Sequence, residues 1–98
     1  MRRWMLTGLV VAAALPAPAR AQAVDVTVLA ASCATCHGPG LRGSGAIPSL
    51  RGKHAVDIAS TLRAFQSGER PATIMTRLSK GWSPAEIDAL AAKLGSAP

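Results

Sequence analysis

Two thiols and an imidazole fall within five residues at Cys33-Ala34-Thr35-Cys36-His37, and this run constrains the chain more than any other. On a helix, residues three and four apart lie on one face, so the two sulfurs point to one side. Cys-x-x-Cys-His is the attachment signature of c-type haem. Both sulfurs can reach the two vinyl groups of one porphyrin as thioethers, and the adjacent His37 then lies under the iron and can give it an imidazole nitrogen. Such a chain is expected to fold around a covalently held disc rather than around its own side chains alone.

The N-terminus points to where the chain works. Arg2 and Arg3 form a positive n-region, Trp4 to Leu15 is an apolar run without charge, and Ala19-Arg20-Ala21 and Ala21-Gln22-Ala23 both fit an A-x-A cleavage site. This is the pattern of a secretory signal peptide. The apolar run is short for a membrane span, which needs about 20 residues. Residues 1–23 are therefore read as a signal peptide cleaved after Ala21 or Ala23, residues 24–98 as one mature domain, and the location as the bacterial periplasm, with no membrane span after cleavage.

About 75 residues then remain, a marginal size for an independent core, and their only aromatics are Phe65 and Trp82. A haem supplies the missing apolar bulk, so the haem-free chain is expected to fold poorly, as a metal-dependent domain does without its metal. The net charge of +6 is partly a leader effect. Without Arg2, Arg3 and Arg20, eight of the eleven Lys/Arg face five Asp/Glu, a net +3. That balance excludes nucleic acid as the expected partner.

Hydrophobic periodicity predicts helices and no strands. A first helix runs from Asp25 to Ala34, with Val26, Leu29, Ala30 and Cys33 on one face. Residues 38–52 carry five glycines and two prolines and read as an irregular loop able to pass close to a ligand. A second helix spans Lys53 to Gln66, with Val56, Ile58, Ala59, Leu62 and Phe65 on its apolar face, and Ser67-Gly68 stops it. Pro71 opens a third through about Ser79. Ser83-Pro84-Ala85-Glu86 is a capping box that starts a fourth, with Ile87, Leu90, Ala91 and Leu94 as its buried stripe and Gly95 as its stop. The fold class is all-α.

The second axial position is assigned by elimination. A methionine thioether is the usual partner of histidine in electron-transfer cytochromes c. With Met1 and Met5 in the leader, Met75 is the one methionine of the mature chain, 38 residues after His37. His54 is the rival, but only 17 residues separate it from His37, and it reads as a surface or cap residue beside Lys53. Other readings of the cysteines are weaker. A thioredoxin-like pair wants a βαβ context, a structural zinc wants four well-placed ligands, and a disulfide leaves His37 and Met75 without roles.

Cys33 to Gly38, then Ile47-Pro48-Ser49-Leu50-Arg51-Gly52, then a late methionine together resemble the small class I cytochromes c across almost all of the mature chain. Gly68-Glu69-Arg70-Pro71-Ala72-Thr73-Ile74-Met75, followed by Lys80-Gly81-Trp82-Ser83 and Glu86-Ile87, is similar to the cytochrome subunit of flavocytochrome c sulfide dehydrogenase. The resemblance implies about four helices wrapped around one covalent haem c, held by Cys33 and Cys36 and ligated by His37 and Met75. It implies that the Pro48 carbonyl accepts the other ring N–H of His37, and that Leu50 packs on the haem. Trp82 is assigned to the haem edge or a propionate, with core packing as its alternative. The chain departs from the pattern at Thr76, where glycine is expected, at Trp82, where tyrosine is commoner, and in a last helix without an aromatic. The implied partner is a flavoprotein (FAD) subunit that oxidises sulfide and passes on single electrons. The chain itself is then no enzyme but an electron carrier. A free shuttle between other redox enzymes, and a haem enzyme or sensor with an open iron site, are the alternatives. Arg63, Arg70, Arg77 and Lys80 are candidates for a docking patch or for neutralising propionates, weighed against a solvated face.

Overall fold

A computed structural model of the chain describes residues 8–16 and 25–96. Arg2, Arg3 and both expected cleavage positions, Ala21 and Ala23, lie outside the described residues. Four α-helices follow in order: α1 (Val26–His37), α2 (Ala55–Ser67), α3 (Met75–Ser79) and α4 (Pro84–Leu94), with a 3₁₀ turn at Pro39–Leu41 after α1. Among the described residues only two isolated β-bridges occur and no strand, so the all-α expectation holds. No described helix is long and apolar enough to cross a membrane.

The ends of the helices follow local chemistry. Asp25 caps α1, its side chain accepting from the Thr27 backbone N–H at 2.9 Å. The helix runs three residues beyond the predicted Ala34, so the whole Cys-x-x-Cys-His motif is helical. Gly38 stops it at φ +83°, a conformation that favours glycine, with its N–H on the Ala34 carbonyl. α2 begins two residues later than predicted. His54 is its N-cap in an extended conformation, and the Lys53 carbonyl is engaged by Ser96 rather than by the helix. α3 is much shorter than predicted. Residues 71–74 are exposed and bury no face that would offset the entropy of fixing them in a helix. α4 starts where expected. Ser83 Oγ accepts from Glu86 N at 3.2 Å, and Glu86 Oε1 accepts from Ser83 N at 3.4 Å. Such a cap stabilises a helix by about 1 kcal/mol.

The core is thin. Its buried apolar members are Ala30 from α1, Ile58, Ala59 and Leu62 from α2, and Ile87, Leu90 and Ala91 from α4. Three of these seven are alanines. Val56, predicted on the buried face of α2, is 65% exposed, because α4 covers the Ile58–Ala59–Leu62 side. α4 packs on both α1 and α2, and α3 packs on α2. The C-terminal end is stitched back onto the start of α2. Ala55 N–H donates to the Ser96 carbonyl at 2.9 Å, and Ser96 N–H donates to the Lys53 carbonyl at 3.0 Å. Gly95 allows this approach: a Cβ there would lie 2.6 Å from both N and Cα of Ala55.

Candidate functional site

The last turn of α1 carries Cys33, Cys36 and His37 together. Both thiols are free; Cys33 is half-buried and Cys36 exposed. Burial pushes the Cys33 thiol above its ordinary range, with a backbone hydrogen bond opposing the shift.

His37 is buried, 8% exposed. Its Nδ1 lies 2.7 Å from the Pro48 carbonyl oxygen. A carbonyl can only accept, so Nδ1 carries the proton, and in the neutral imidazole the lone pair is left on Nε2. The loop after α1 is shaped to deliver that carbonyl. Gly43 N–H donates back to the His37 carbonyl at 2.7 Å, and Ser44 and Ile47 exchange a pair of backbone bonds. Gly43 has φ +73°, and a Cβ on it would lie 2.6 Å from the Pro48 carbonyl carbon and the Ser49 nitrogen. Leu41 takes φ +58°, a left-handed conformation that costs a side-chain-bearing residue about 1 kcal/mol or more. Its carbonyl accepts from Leu50 N–H at 2.8 Å and Ser49 Oγ at 3.2 Å, which holds the bend.

Met75 opens α3, half-buried and packed against the core, as are Trp82 and Cys33. α1 and α3 have no Cα atoms within 8 Å of each other. The two helices bearing the candidate ligands are therefore separated rather than packed. Thr76 Oγ1, next to Met75, is buried and finds no hydrogen-bond partner among the described residues, an arrangement that costs about 1–3 kcal/mol unless a group arrives to satisfy it. Leu50 is half-buried. Trp82 is partly buried against the core, and its carbonyl accepts from Gln66 Nε2 at 2.8 Å. His54, the rival ligand, is exposed at the α2 N-cap with its Nδ1 3.4 Å from Ser96 Oγ.

Of the four cations considered for a patch, two are engaged. Arg63 pairs with Asp88 at 2.6 Å, and the Arg70 guanidinium sits 5.5 Å from the centroid of the Phe65 ring. Arg77 and Lys80 are exposed on and beside α3. Among the described residues no three of His, Cys, Asp and Glu gather as a closed zinc site would require.

Residues 21–92 match the family model for cytochrome C oxidase, cbb3-type, subunit III. The chain belongs to this cytochrome c family. Its small all-α fold is the cytochrome c fold, and its residues suit haem c. Two free thiols and a tautomer-fixed imidazole share one helical turn, a thioether lies on a separated helix, and a buried hydroxyl beside that thioether finds no partner among the described residues. The cytochrome is 39% identical over 69 residues to the cytochrome subunit of sulfide dehydrogenase from Chlorobaculum tepidum, covering 70% of this chain and 63% of the relative. It is 45% identical over 47 residues to cytochrome c-554(547) of Halothiobacillus neapolitanus, covering 48% and 52%. It is 36% identical over 106 residues to the thiosulfate dehydrogenase electron acceptor of Stutzerimonas stutzeri, covering 97% of this cytochrome and 48% of the relative. The cytochrome thus spans between about half and two thirds of the length of these relatives.

Sequence reasoning left one structural residue of this region unmarked. Gln66, on the last turn of α2, bonds backbone carbonyls 13 and 16 positions away. Helical periodicity carries no signal for such reach.

Proposed function

We propose that this cytochrome is an exported, periplasmic electron-transfer subunit that carries one haem c and accepts electrons from a flavoprotein sulfide dehydrogenase. Residues 1–23 act as its cleaved leader. Cys33 and Cys36 hold the cofactor, His37 and Met75 ligate its iron, and Leu50 and Trp82 line it. The observation that carries the reading is the His37–Pro48 bond beside two free thiols on one turn. Bound, haem c supplies a one-electron ferric/ferrous couple. The Pro48 carbonyl holds the imidazole in one plane and raises its basicity. As a ligand to that iron, the thioether of Met75 would favour the reduced state. The relative from Chlorobaculum tepidum, named as a cytochrome subunit of sulfide dehydrogenase, supports the choice of partner.

A second reading rests on the relative from Stutzerimonas stutzeri, whose match covers 97% of this cytochrome and whose name is thiosulfate dehydrogenase electron acceptor. One experiment separates the two. The haem-loaded protein is captured from its native periplasm with whatever binds it, and haem reduction is followed with sulfide and with thiosulfate. A co-purifying flavin and sulfide-dependent reduction support the first reading. Thiosulfate-dependent reduction without flavin supports the second. Reduction by neither donor, with a monomeric protein, returns the cytochrome to a free shuttle.

A further inference from the structure

We infer that Gln66 is the positioning residue for the Met75 side of the haem, acting through the C-terminal end of α3. This rests on Met75 being the sixth ligand. α3 has five residues and no side-chain cap, so it cannot persist on its own. Its last carbonyls need partners from elsewhere. Gln66 Nε2 donates to the Ser79 carbonyl at 2.9 Å and to the Trp82 carbonyl at 2.8 Å. An amide NH₂ has two hydrogens, so one group serves both bonds. Because both partners are acceptors, the orientation of the amide is determined by them. Ser79 is fully buried, and its carbonyl also takes the Trp82 N–H at 3.2 Å. The side chain of Gln66 thus ties the end of α3 and the residue preceding the Ser83 cap of α4 to the last turn of α2. α1, with the thiols and His37, has no Cα within 8 Å of α3. Loosening the tie acts first on α3 and its thioether, while α1 stays held by its own packing on α4, a local rather than global opening.

The test uses the ferric, haem-loaded protein with Gln66→Leu and Gln66→Glu, the second of which keeps the shape but at neutral pH donates nothing. Free imidazole competes with Met75 for the iron, and the sulfur-to-iron charge-transfer band reports the thioether. Losing two net hydrogen bonds corresponds to about a thirtyfold shift in α3 opening. Imidazole is therefore expected to bind at least about tenfold more tightly to both variants, with covalent haem retained. Affinities within about twofold of the parent protein in both variants would overturn the role of Gln66. Met75→Ala is measured in parallel. Loss of the band in Met75→Ala together with unchanged Gln66 variants sinks this inference alone, whereas a band that survives Met75→Ala removes the ligand reading beneath it. If the variants do not fold, the parent protein still decides. Slow solvent exchange of both Gln66 side-chain amide protons supports the tie, and exchange at the rate of an exposed glutamine overturns it.

Discussion

His37 Nδ1 and the Pro48 carbonyl oxygen, eleven residues apart in the chain, meet at 2.7 Å. One bond sets the tautomer, the ring plane and the basicity of the imidazole. It depends on a loop whose tightest point is Gly43, where an added Cβ would strike the backbone of Ile47, Pro48 and Ser49. Gly43→Ala is therefore expected to move the acceptor as well as strain the loop. With about 3 kcal/mol lost to the positive φ and the clash, the melting temperature should fall by on the order of 10–20 °C. Losing the bond makes the imidazole less basic, so the reduction potential should rise by on the order of 40 mV, one hydrogen bond's worth in a one-electron couple. Thermal melts and redox titration of the haem-loaded variant check both.

Among the described residues the buried apolar core has seven members, three of them alanines, which predicts dependence on the cofactor. Cys33→Ala/Cys36→Ala, which prevents covalent attachment, should give a chain without a cooperative thermal transition and with near-UV dichroism lost. A cooperative melt of that haem-free double variant would contradict the prediction.

Surface charge predicts a split among the cations. Arg63 and Asp88 are exposed at 43% and 63%, and removing either should change stability by less than about 1 kcal/mol. Arg77 is the exposed cation nearest the candidate thioether along the chain, and exposed Lys80 follows five residues after Met75. Arg77→Glu with Lys80→Glu should slow reduction by the redox partner about tenfold at low ionic strength. The effect should fade toward about 1 M salt, where the screening length is about 3 Å. Stopped-flow reduction across a salt series measures it, with Arg63→Ala as the comparison.

Gly95→Ala tests packing away from the haem ligands. Its backbone is not in the left-handed region, so the cost comes from the 2.6 Å approach to Ala55. A loss of about 1–3 kcal/mol is expected, read as a lower melting temperature, while the reduction potential stays at the parent value.

Much of this arrangement was legible in the chain. The capping box placed α4 from Ser83 onward, and the motif placed both thiols and His37 on one face. Apolar periodicity alone ends α1 at Ala34, and only the motif argues for the further residues to His37. Pro71 is a good first residue for a helix, but residues 71–74 are exposed and α3 starts only at Met75. Val56 fitted the period of α2 yet faces outward, because the apolar stripe of that helix is wider than the surface α4 covers. The Pro48 acceptor was reachable only through family resemblance, since the bond depends on how a glycine loop folds back. Gln66 was invisible because its partners are main-chain atoms, which no residue identity marks.

The reciprocal bonds between Ser96 and the Lys53–Ala55 segment give the domain an anchored exit. A downstream module, tag or second redox unit joined to this cytochrome would leave from beside the N-terminus of α2 rather than from a free-swinging tail. Linker length for any fusion should be counted from Ser96, the last residue held by these bonds.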